Sequence, residues 1–248
     1  MIPEVASPSE VEVAPSERVV VVAAVERELL PLRDLLRRAP RGDEVHLRVT
    51  GVGKVSSALE TARAVRELRP SRVIQLGCAG SFPSRDVSVG DVVIATEEIL
   101  GDEGVETPEG FLTLEELGLP SASRGATAVY NRVPTAAPSA ALVEALRRRF
   151  PDDFKLVTGP LVTVSSASGT DDRARLLESR WQPVAESMEG AAAAVACWME
   201  GLPFHEIRGV SNRAGKRDRA SWDVDTACSN AARVTLALLE LLRPPCKP

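Results

Sequence analysis

The sequence is poor in the residues that build metal centres and disulfide frameworks. It contains two histidines and four cysteines, no pair of which has C-x-x-C spacing: His46, His205, Cys78, Cys197, Cys228 and Cys246. This pattern argues against a structural zinc site. A chain of 248 residues without a recognisable secretory signal is also not expected to depend on disulfides. We therefore predict that the protein binds no metal.

The chain also lacks a basic surplus and a long apolar run. Its formal net charge is -5, whereas a nucleic-acid-binding surface is expected to be basic. The first strongly apolar run, residues 19–24, is far too short to cross a membrane, and an acidic, proline-bearing stretch precedes it. No signal peptide is recognisable. We expect a cytoplasmic protein with reduced thiols, which binds neither nucleic acid nor membrane.

Strand-like and helix-like segments alternate along the chain. Residues 1–17 have no hydrophobic period and are predicted to be a mobile tail. The β-branched run 19–24 is typical of a strand buried on both faces. Leucines recur at helical spacing in residues 26–38, where Pro31 falls in or near the first turn. The alternation predicts one α/β domain over residues 18–243, with three αβα layers and a mixed, largely parallel central sheet.

The remaining segments are assigned from the same patterns. Further strands are predicted at 45–50, 72–76, 91–95 and 156–164, and further helices at 55–68, 141–150 and 223–242. The connecting segments are predicted to be a glycine loop at 77–81, an acidic insertion at 97–120, a loop at 121–138 and a small-residue loop at 165–170.

The stretch 184–212 carries the first candidate site. Ser187 to Gly190 is predicted to open an alanine-rich helix, which ends at 201–203 and is followed by a strand over 204–210. Asn212 is predicted to lie just past that strand. Ligands of open α/β sheets bind beyond the carboxyl ends of strands. Glu189 and Asn212 are therefore predicted to share one pocket.

Simpler interpretations stand beside this one. Glu28 and Glu189 both lie where a helix is predicted to start, and an acid there favours the helix dipole. Asn212 could bond its own backbone in a turn, and His205, within a predicted strand, is interpreted as a core residue. The turn 51–54 matches neither a Walker A loop nor G-x-G-x-x-G. No glycine follows the first strand, which counts against a dinucleotide fold, and no cofactor is predicted.

Five short motifs occur in an order that resembles the nucleoside phosphorylase/nucleosidase superfamily. They are Ala24-Val25-Glu26-Arg27-Glu28, Gly51-Val52-Gly53-Lys54-Val55, Gly77-Cys78-Ala79-Gly80, Met188-Glu189-Gly190-Ala191 and Ser211-Asn212. The similarity extends over residues 18–242. Residues 110–116 and 163–170, together with Asn212, resemble the futalosine hydrolase branch more than the methylthioadenosine/S-adenosylhomocysteine nucleosidases. The resemblance implies hydrolysis of a purine nucleoside in menaquinone biosynthesis by a homodimer or larger homo-oligomer. A methylthioadenosine-type nucleosidase or a purine nucleoside phosphorylase remains the alternative.

The resemblance also implies roles for individual residues. Glu28 would activate water, Glu189 would hold the ribose hydroxyls and Asn212 would bind the base. Gln75 stands where phosphorylases have a phosphate-binding arginine, which favours water as the nucleophile, and Ser187 replaces a second acid. The cation for the substrate carboxylate is left open among Arg213, Lys216, Arg217 and Arg219. The implied substrate contacts are Cys78, Ala79, Gly80, Phe111, Ser166, Met188, Arg208 and Trp222.

A member of this superfamily that only binds purines is the remaining alternative. The presence of Glu28 and Glu189 together argues against it, because binding alone does not require an acid that activates water.

Overall fold

A computed structural model describes residues 18–39 and 44–242 of the chain, so the predicted tail at 1–17 lies outside the described residues. The strands are β1 (Val19–Ala23), β2 (Val45–Val49), β3 (Arg72–Ser81), β4 (Val92–Leu100), β5 (Gly104–Thr107), β6 (Gly110–Thr113), β7 (Ala122–Arg124), β8 (Thr127–Val129), β9 (Arg132–Pro134), β10 (Leu156–Thr163), β11 (Ala185–Ser187) and β12 (Phe204–Arg213). The helices are α1 (Glu26–Leu36), α2 (Lys54–Leu68), α3 (Ala140–Arg147), α4 (Asp171–Trp181), α5 (Gly190–Met199) and α6 (Val224–Leu242).

The central sheet is mixed, as predicted. Its strand order is β11-β10-β4-β12-β3-β1-β2, with β9 added beside β4. Strand β12 runs parallel to β3 and antiparallel to β4. Strand β11 pairs in parallel with β10 and antiparallel with β3. The sheet therefore curves, and at one end five strands close into a ring, a closure that the sequence patterns do not predict.

Helices cover both faces of the sheet. Along β1, Val19 and Val21 pack in the core cluster formed with α1 and α6. Val20 and Val22 pack in the cluster formed with α2 and α5, where Ala193 of the alanine run lies against them. A continuous β-branched run is what a strand buried on both faces requires. The three-layer α/β prediction is confirmed. No helix in the described ranges is both long enough and apolar enough to cross a membrane.

Three predicted element boundaries near the candidate site are wrong. The predicted glycine loop at 77–81 belongs to β3, because β12 and β11 pair with it along this segment. Strand β12 continues to Arg213, so Asn212 lies within the strand rather than past its end. Residues 185–187, predicted to lead into a helix, form β11. Each error comes from pairing between segments distant in sequence, which local patterns do not report.

Differences elsewhere have similar causes. Strand β4 continues to Leu100, so the insertion predicted at 97–120 begins inside the sheet. The loop predicted at 121–138 holds the β7–β8 hairpin and β9. Pro31 lies inside α1, beyond its first turn.

His205 is buried, and burial together with the charge of Arg72 lowers its pKa to about 4. Its ring is therefore neutral at physiological pH, as suits a core residue.

Candidate active site

A cavity of about 220 Å³ lies at the carboxyl ends of β1, β3 and β12. It brings together most of the predicted site residues: Glu28, Cys78, Ala79, Gly80, Met188, Glu189, Arg208, Asn212 and Trp222. Two predicted contacts lie elsewhere. Ser166 is exposed in the 165–170 loop, where the neighbouring Ala167 and Ser168 line the cavity instead. Phe111 packs edge-on against Trp181, with the guanidinium of Arg180 over its ring.

Glu28 is held by three main-chain donors. Its Oε2 accepts from the N–H groups of Ala24 at 3.1 Å and Val25 at 3.3 Å, and its Oε1 accepts from Cys78 at 3.0 Å. The side chain is 5% exposed. A helix-capping role therefore accounts for one oxygen, whereas the other reaches across to β3. This second bond fixes the carboxylate at the edge of the cavity.

Glu189 caps α5 and joins a buried ion-pair chain. Its Oε1 accepts from the N–H of Gly53 at 3.0 Å, and its Oε2 accepts from Arg208 Nη2 at 3.3 Å. Arg208 is 1% exposed and donates through Nε to Glu206 Oε1 at 2.6 Å and through Nη1 to the carbonyl of Cys78 at 3.1 Å. Burial alone would lower the pKa of Arg208, but the surrounding carboxylates raise it. The guanidinium is therefore a fixed positive charge beneath the cavity.

A second carboxyl extends this chain into the core. Glu98 accepts from the hydroxyl of Thr163 at 3.0 Å, and its Oε1, like Glu206 Oε2, is buried and has no other partner within the described residues, so one proton shared between the two carboxyls would satisfy both oxygens. Burial and the charge of Glu206 raise the pKa of Glu98 well above its usual range. Glu98 therefore carries the shared proton and donates it to Glu206, whose other oxygen holds Arg208. Sequence reasoning did not identify either acid.

Gly77 makes room for two of these side chains. A Cβ at position 77 would overlap Arg208 Nη1 and lie 2.7 Å from Glu28 Oε1. Contacts this short are essentially never made by real Cβ atoms. Gly77, which suggested a loop in the sequence, is thus a strand residue. Arg208 and Glu28 approach each other across it.

Asn212 keeps part of its hydrogen-bonding capacity. Its Oδ1 accepts from the Ser211 hydroxyl at 2.7 Å, and its Nδ2 donates to the carbonyl of Arg213 at 3.0 Å. An amide offers two acceptor positions and two N–H donors. Within the described ranges, one acceptor position and one N–H therefore remain for a ligand. The simpler interpretation, an amide bonded to its own backbone, accounts for only one of these bonds.

Cys78 contributes its backbone to the site through the bonds to Glu28 and Arg208. Its side chain also lines the cavity and contacts the thiol of Cys228 on α6. A hydrogen bond from that thiol lowers the pKa of Cys78. The hydrogen bonds from this position to Glu28 and Arg208 are thus made by main-chain atoms.

One further cavity residue was missed by the sequence analysis, and one of the four candidate cations lines the same cavity. Glu186 follows Ala185 on β11, and its carboxylate accepts from the N–H of Ser168 at 2.9 Å and from the hydroxyl at 2.7 Å. Arg217 lines the cavity with its guanidinium 4.9 Å from the ring of Trp222. Glu186 has no local signal, because β11 is three residues long. Arg217 was among the four candidate cations, and the sequence alone does not select it from the others.

A second cavity, of about 770 Å³, lies beside the first. Its lining includes Arg213 and Lys216, two of the cations left open by the sequence, together with Asp171 and Glu178. Asp171 already accepts from the N–H of Lys216 at 2.9 Å. The charges of this lining largely offset each other, whereas the smaller cavity collects the acids and the amide. We therefore place the candidate active site in the smaller cavity.

Comparison with known proteins shows which family the chain resembles over its whole described length. The model of the Phosphorylase superfamily matches residues 18–242. A futalosine hydrolase of Thermus thermophilus is 35% identical over 190 residues, covering 77% of this chain and 79% of that protein. A 5'-methylthioadenosine/S-adenosylhomocysteine nucleosidase of a Geobacillus species is 29% identical over 243 residues, covering 91% and 99%. The crystal structure of the corresponding Neisseria meningitidis nucleosidase with methylthio-immucillin-A has a TM-score of 0.74 and 26% identity, covering 91% and 100%.

The chain belongs to the Phosphorylase superfamily, because the family model covers almost all of its described residues. The membership predicted from the five motifs is confirmed, and with it the prediction of an enzyme. The named relatives are hydrolases and nucleosidases.

Proposed function

We propose that the protein hydrolyses the N-glycosidic bond of futalosine and releases hypoxanthine and dehypoxanthine futalosine, as a step of menaquinone biosynthesis. The observation that carries this proposal is the convergence of Glu28, Glu189 and Asn212 on one cavity. The identity to a futalosine hydrolase supports the choice of substrate. In the reaction the C1′–N9 bond breaks and its electron pair leaves with the base, while a water oxygen bonds to C1′. One water proton passes to Glu28, and the departing base gains a proton at N7 from solvent. The site must therefore stabilise a cationic ribose and an anionic base.

Glu28 is suited to activate the water. A carboxylate offers about four acceptor positions. Main-chain donors occupy three of them, two on Oε2 and one on Oε1. The fourth position, on Oε1, is left for a water proton in the cavity. The three fixed donors hold the carboxylate still, so that it accepts the proton without reorganising.

Glu189 is suited to bind the ribose. Gly53 and Arg208 occupy one acceptor position on each of its oxygens. About two positions therefore remain, as two adjacent ribose hydroxyls require. Hydrogen bonds to a carboxylate strengthen as positive charge develops on the sugar. Arg208 holds Glu189 in place through the contact between Nη2 and Oε2.

Asn212 is suited to bind a 6-oxopurine. Its remaining acceptor position can accept a hydrogen bond from N7–H, once the base carries a proton there, and its remaining N–H can donate to the exocyclic oxygen. A 6-amino group would instead place donor against donor. Futalosine carries hypoxanthine, which is a 6-oxopurine.

Arg217 and Trp222 are suited to the 5′ group of the substrate. This group ends in a benzoate, which needs apolar cover and a cation. Arg217 lines the cavity and stacks on Trp222, whereas Arg213 and Lys216 line the neighbouring one. Arg217 is therefore the candidate cation for the carboxylate.

A methylthioadenosine-type nucleosidase is the second candidate, because the Geobacillus relative matches a larger share of the chain. The test is incubation with futalosine, inosine and methylthioadenosine, with and without phosphate, followed by chromatography of the free base. Our proposal requires hypoxanthine from futalosine at a rate independent of phosphate. Faster release of adenine from methylthioadenosine would favour the second candidate, and a phosphate requirement would indicate a phosphorylase.

The protein is further proposed to act in the cytoplasm as a homodimer or larger homo-oligomer. Val55 and Leu59 lie one helical turn apart on α2 and are 84% and 65% exposed, and Val52 beside them is 56% exposed. An apolar stripe of this kind is suited to bury itself against a second subunit. Light scattering after size-exclusion chromatography tests this. A monomer at micromolar concentration would contradict it.

A further inference from the structure

Glu186 has no role in the chemistry described so far, yet it lies in the same cavity. The residue is 5% exposed, and its two oxygens accept from the N–H and the hydroxyl of Ser168. Of about four acceptor positions on a carboxylate, two therefore remain. A buried carboxylate is costly unless it is well hydrogen-bonded. An acid kept at the cavity wall with unused acceptor positions is suited to a ligand that brings a donor.

The register of the sheet places Glu186 opposite Asn212. Gly80 on β3 pairs with Glu186 on one side and with Asn212 on the other. Strands are about 4.8 Å apart, so the two backbones are separated by roughly 10 Å. Gly80 has no side chain to fill this gap, and a Cβ there would lie 3.0 Å from Asn212 Nδ2. The two polar side chains therefore flank an open floor on which a flat base can lie.

We propose that Glu186 accepts a hydrogen bond from N1–H of a 6-oxopurine and so selects the base together with Asn212. The inference rests on the proposed function, because it assumes that a purine occupies this cavity. In a 6-oxopurine N1 carries a hydrogen, which suits a carboxylate. In a 6-aminopurine N1 is a bare acceptor and would face the carboxylate lone pairs. Asn212 would read the N7 and O6 edge, and Glu186 would read N1.

Glu186→Gln tests this assignment with little change of shape. The Gln oxygen can still accept from Ser168, but its NH2 group would then face the base. A donor would oppose N1–H of hypoxanthine and would match the bare N1 of adenine. We expect kcat/KM for futalosine to fall relative to that for its 6-amino analogue by roughly 5- to 150-fold, the usual size of one unpaired buried group. Calorimetric titration should show hypoxanthine binding weakened while adenine binding is unchanged or stronger.

Ser168→Ala is the matched control. It removes the hydroxyl bond to Glu186 but leaves the carboxylate and the main-chain donor. Any change should affect both substrates by a similar factor. If Glu186→Gln also lowers both substrates equally, Glu186 only orders the 165–170 loop and the inference is overturned. An unchanged ratio overturns it as well. If Glu186→Gln does not fold, Glu186→Asp withdraws the carboxylate from N1 and should weaken hypoxanthine binding relative to adenine binding; an unchanged ratio would again overturn the inference.

The two proposals fail in different ways. If the unmodified protein cleaves no futalosine, the proposed function fails, and the comparison of hypoxanthine with adenine binding still decides the role of Glu186. If the unmodified protein cleaves futalosine but Glu186→Gln keeps the same base preference, only the inference about Glu186 fails.

Discussion

The buried Glu98–Glu206 pair makes a quantitative prediction about stability. Both residues are 0% exposed, and the pKa of Glu98 is raised by burial and by the charge of Glu206. The folded protein therefore retains a proton that the unfolded chain releases above about pH 4.5. The stability contributed by this group is full below that pH and declines as the pH rises towards the folded pKa. The decline amounts to about 1.4 kcal/mol per pH unit.

Replacing Glu98 by Gln should remove this decline. The amide NH2 can donate to Glu206 as the carboxylic acid does, and the amide oxygen can accept from Thr163. The difference in unfolding free energy between Glu98→Gln and the unmodified protein should therefore shift in favour of the variant as pH rises from 5 to 8. Urea unfolding followed by circular dichroism at several pH values measures it.

Glu97→Gln, on the same strand, is the control. Glu97 pairs with Arg132 at the surface, where an ion pair contributes about 0–1 kcal/mol. The difference in unfolding free energy between Glu97→Gln and the unmodified protein should show no comparable trend with pH. The assignment of the proton to Glu98 would be refuted if Glu98→Gln had the same pH slope as the unmodified protein. If Glu98→Gln lowered the unfolding free energy by several kcal/mol at every pH, the amide NH2 would not replace the carboxylic acid as the donor to Glu206.

Four further predictions concern the candidate site. Glu28→Gln should lower turnover by roughly 10²-fold or more, the usual size of general acid–base effects; near-normal turnover would contradict its role. Glu189→Ala should lower kcat more than it raises KM, and a pure KM effect would show that this acid only binds substrate. Cys78→Ser should change kcat/KM little, because the site uses main-chain atoms at this position; a large loss would assign the thiol a direct role. Arg217→Met should raise KM for futalosine but not for inosine, and an equal effect on both would remove Arg217 from the 5′ subsite.

Local sequence patterns predicted the elements that carry a clear hydrophobic period. The valine run of β1, the leucines of α1 and the long amphipathic helix α6 all lie close to their predicted positions. These segments carry a clear period, and their burial follows from it. The same patterns did not predict β11 or the full length of β3. Both depend on pairing across about 100 residues, between Ala185 and Ser81 and between Glu186 and Gly80.

The site was predicted less evenly than the fold. Glu28, Glu189 and Asn212 were found because strand ends and family motifs mark them. Glu186 was missed because its strand is three residues long and was interpreted as the approach to a helix. Phe111 was expected in the site as apolar cover for the 5′ group of the substrate that the family resemblance implies. The structure instead gives it Trp181 as a partner.

The glycines of β3 show why sequence and structure diverge at this point. Position 77 must lack a side chain because Arg208 and Glu28 meet above it, whereas a Cβ at position 80 would lie 3.0 Å from Asn212 Nδ2, a tight contact that the amide would have to relieve by a small shift. Both positions are paired in the sheet, so neither glycine is needed for a turn. In a one-dimensional pattern, a glycine that makes room and a glycine that permits a turn cannot be distinguished. The two kinds of glycine are distinguished only by the side chains that occupy the space above them. Two of these side chains, Glu28 and Asn212, come from segments more than 180 residues apart. The central strand is thus both the middle of the core and the floor of the candidate site, which explains why polar groups as costly as Arg208 and Glu206 are buried beside it.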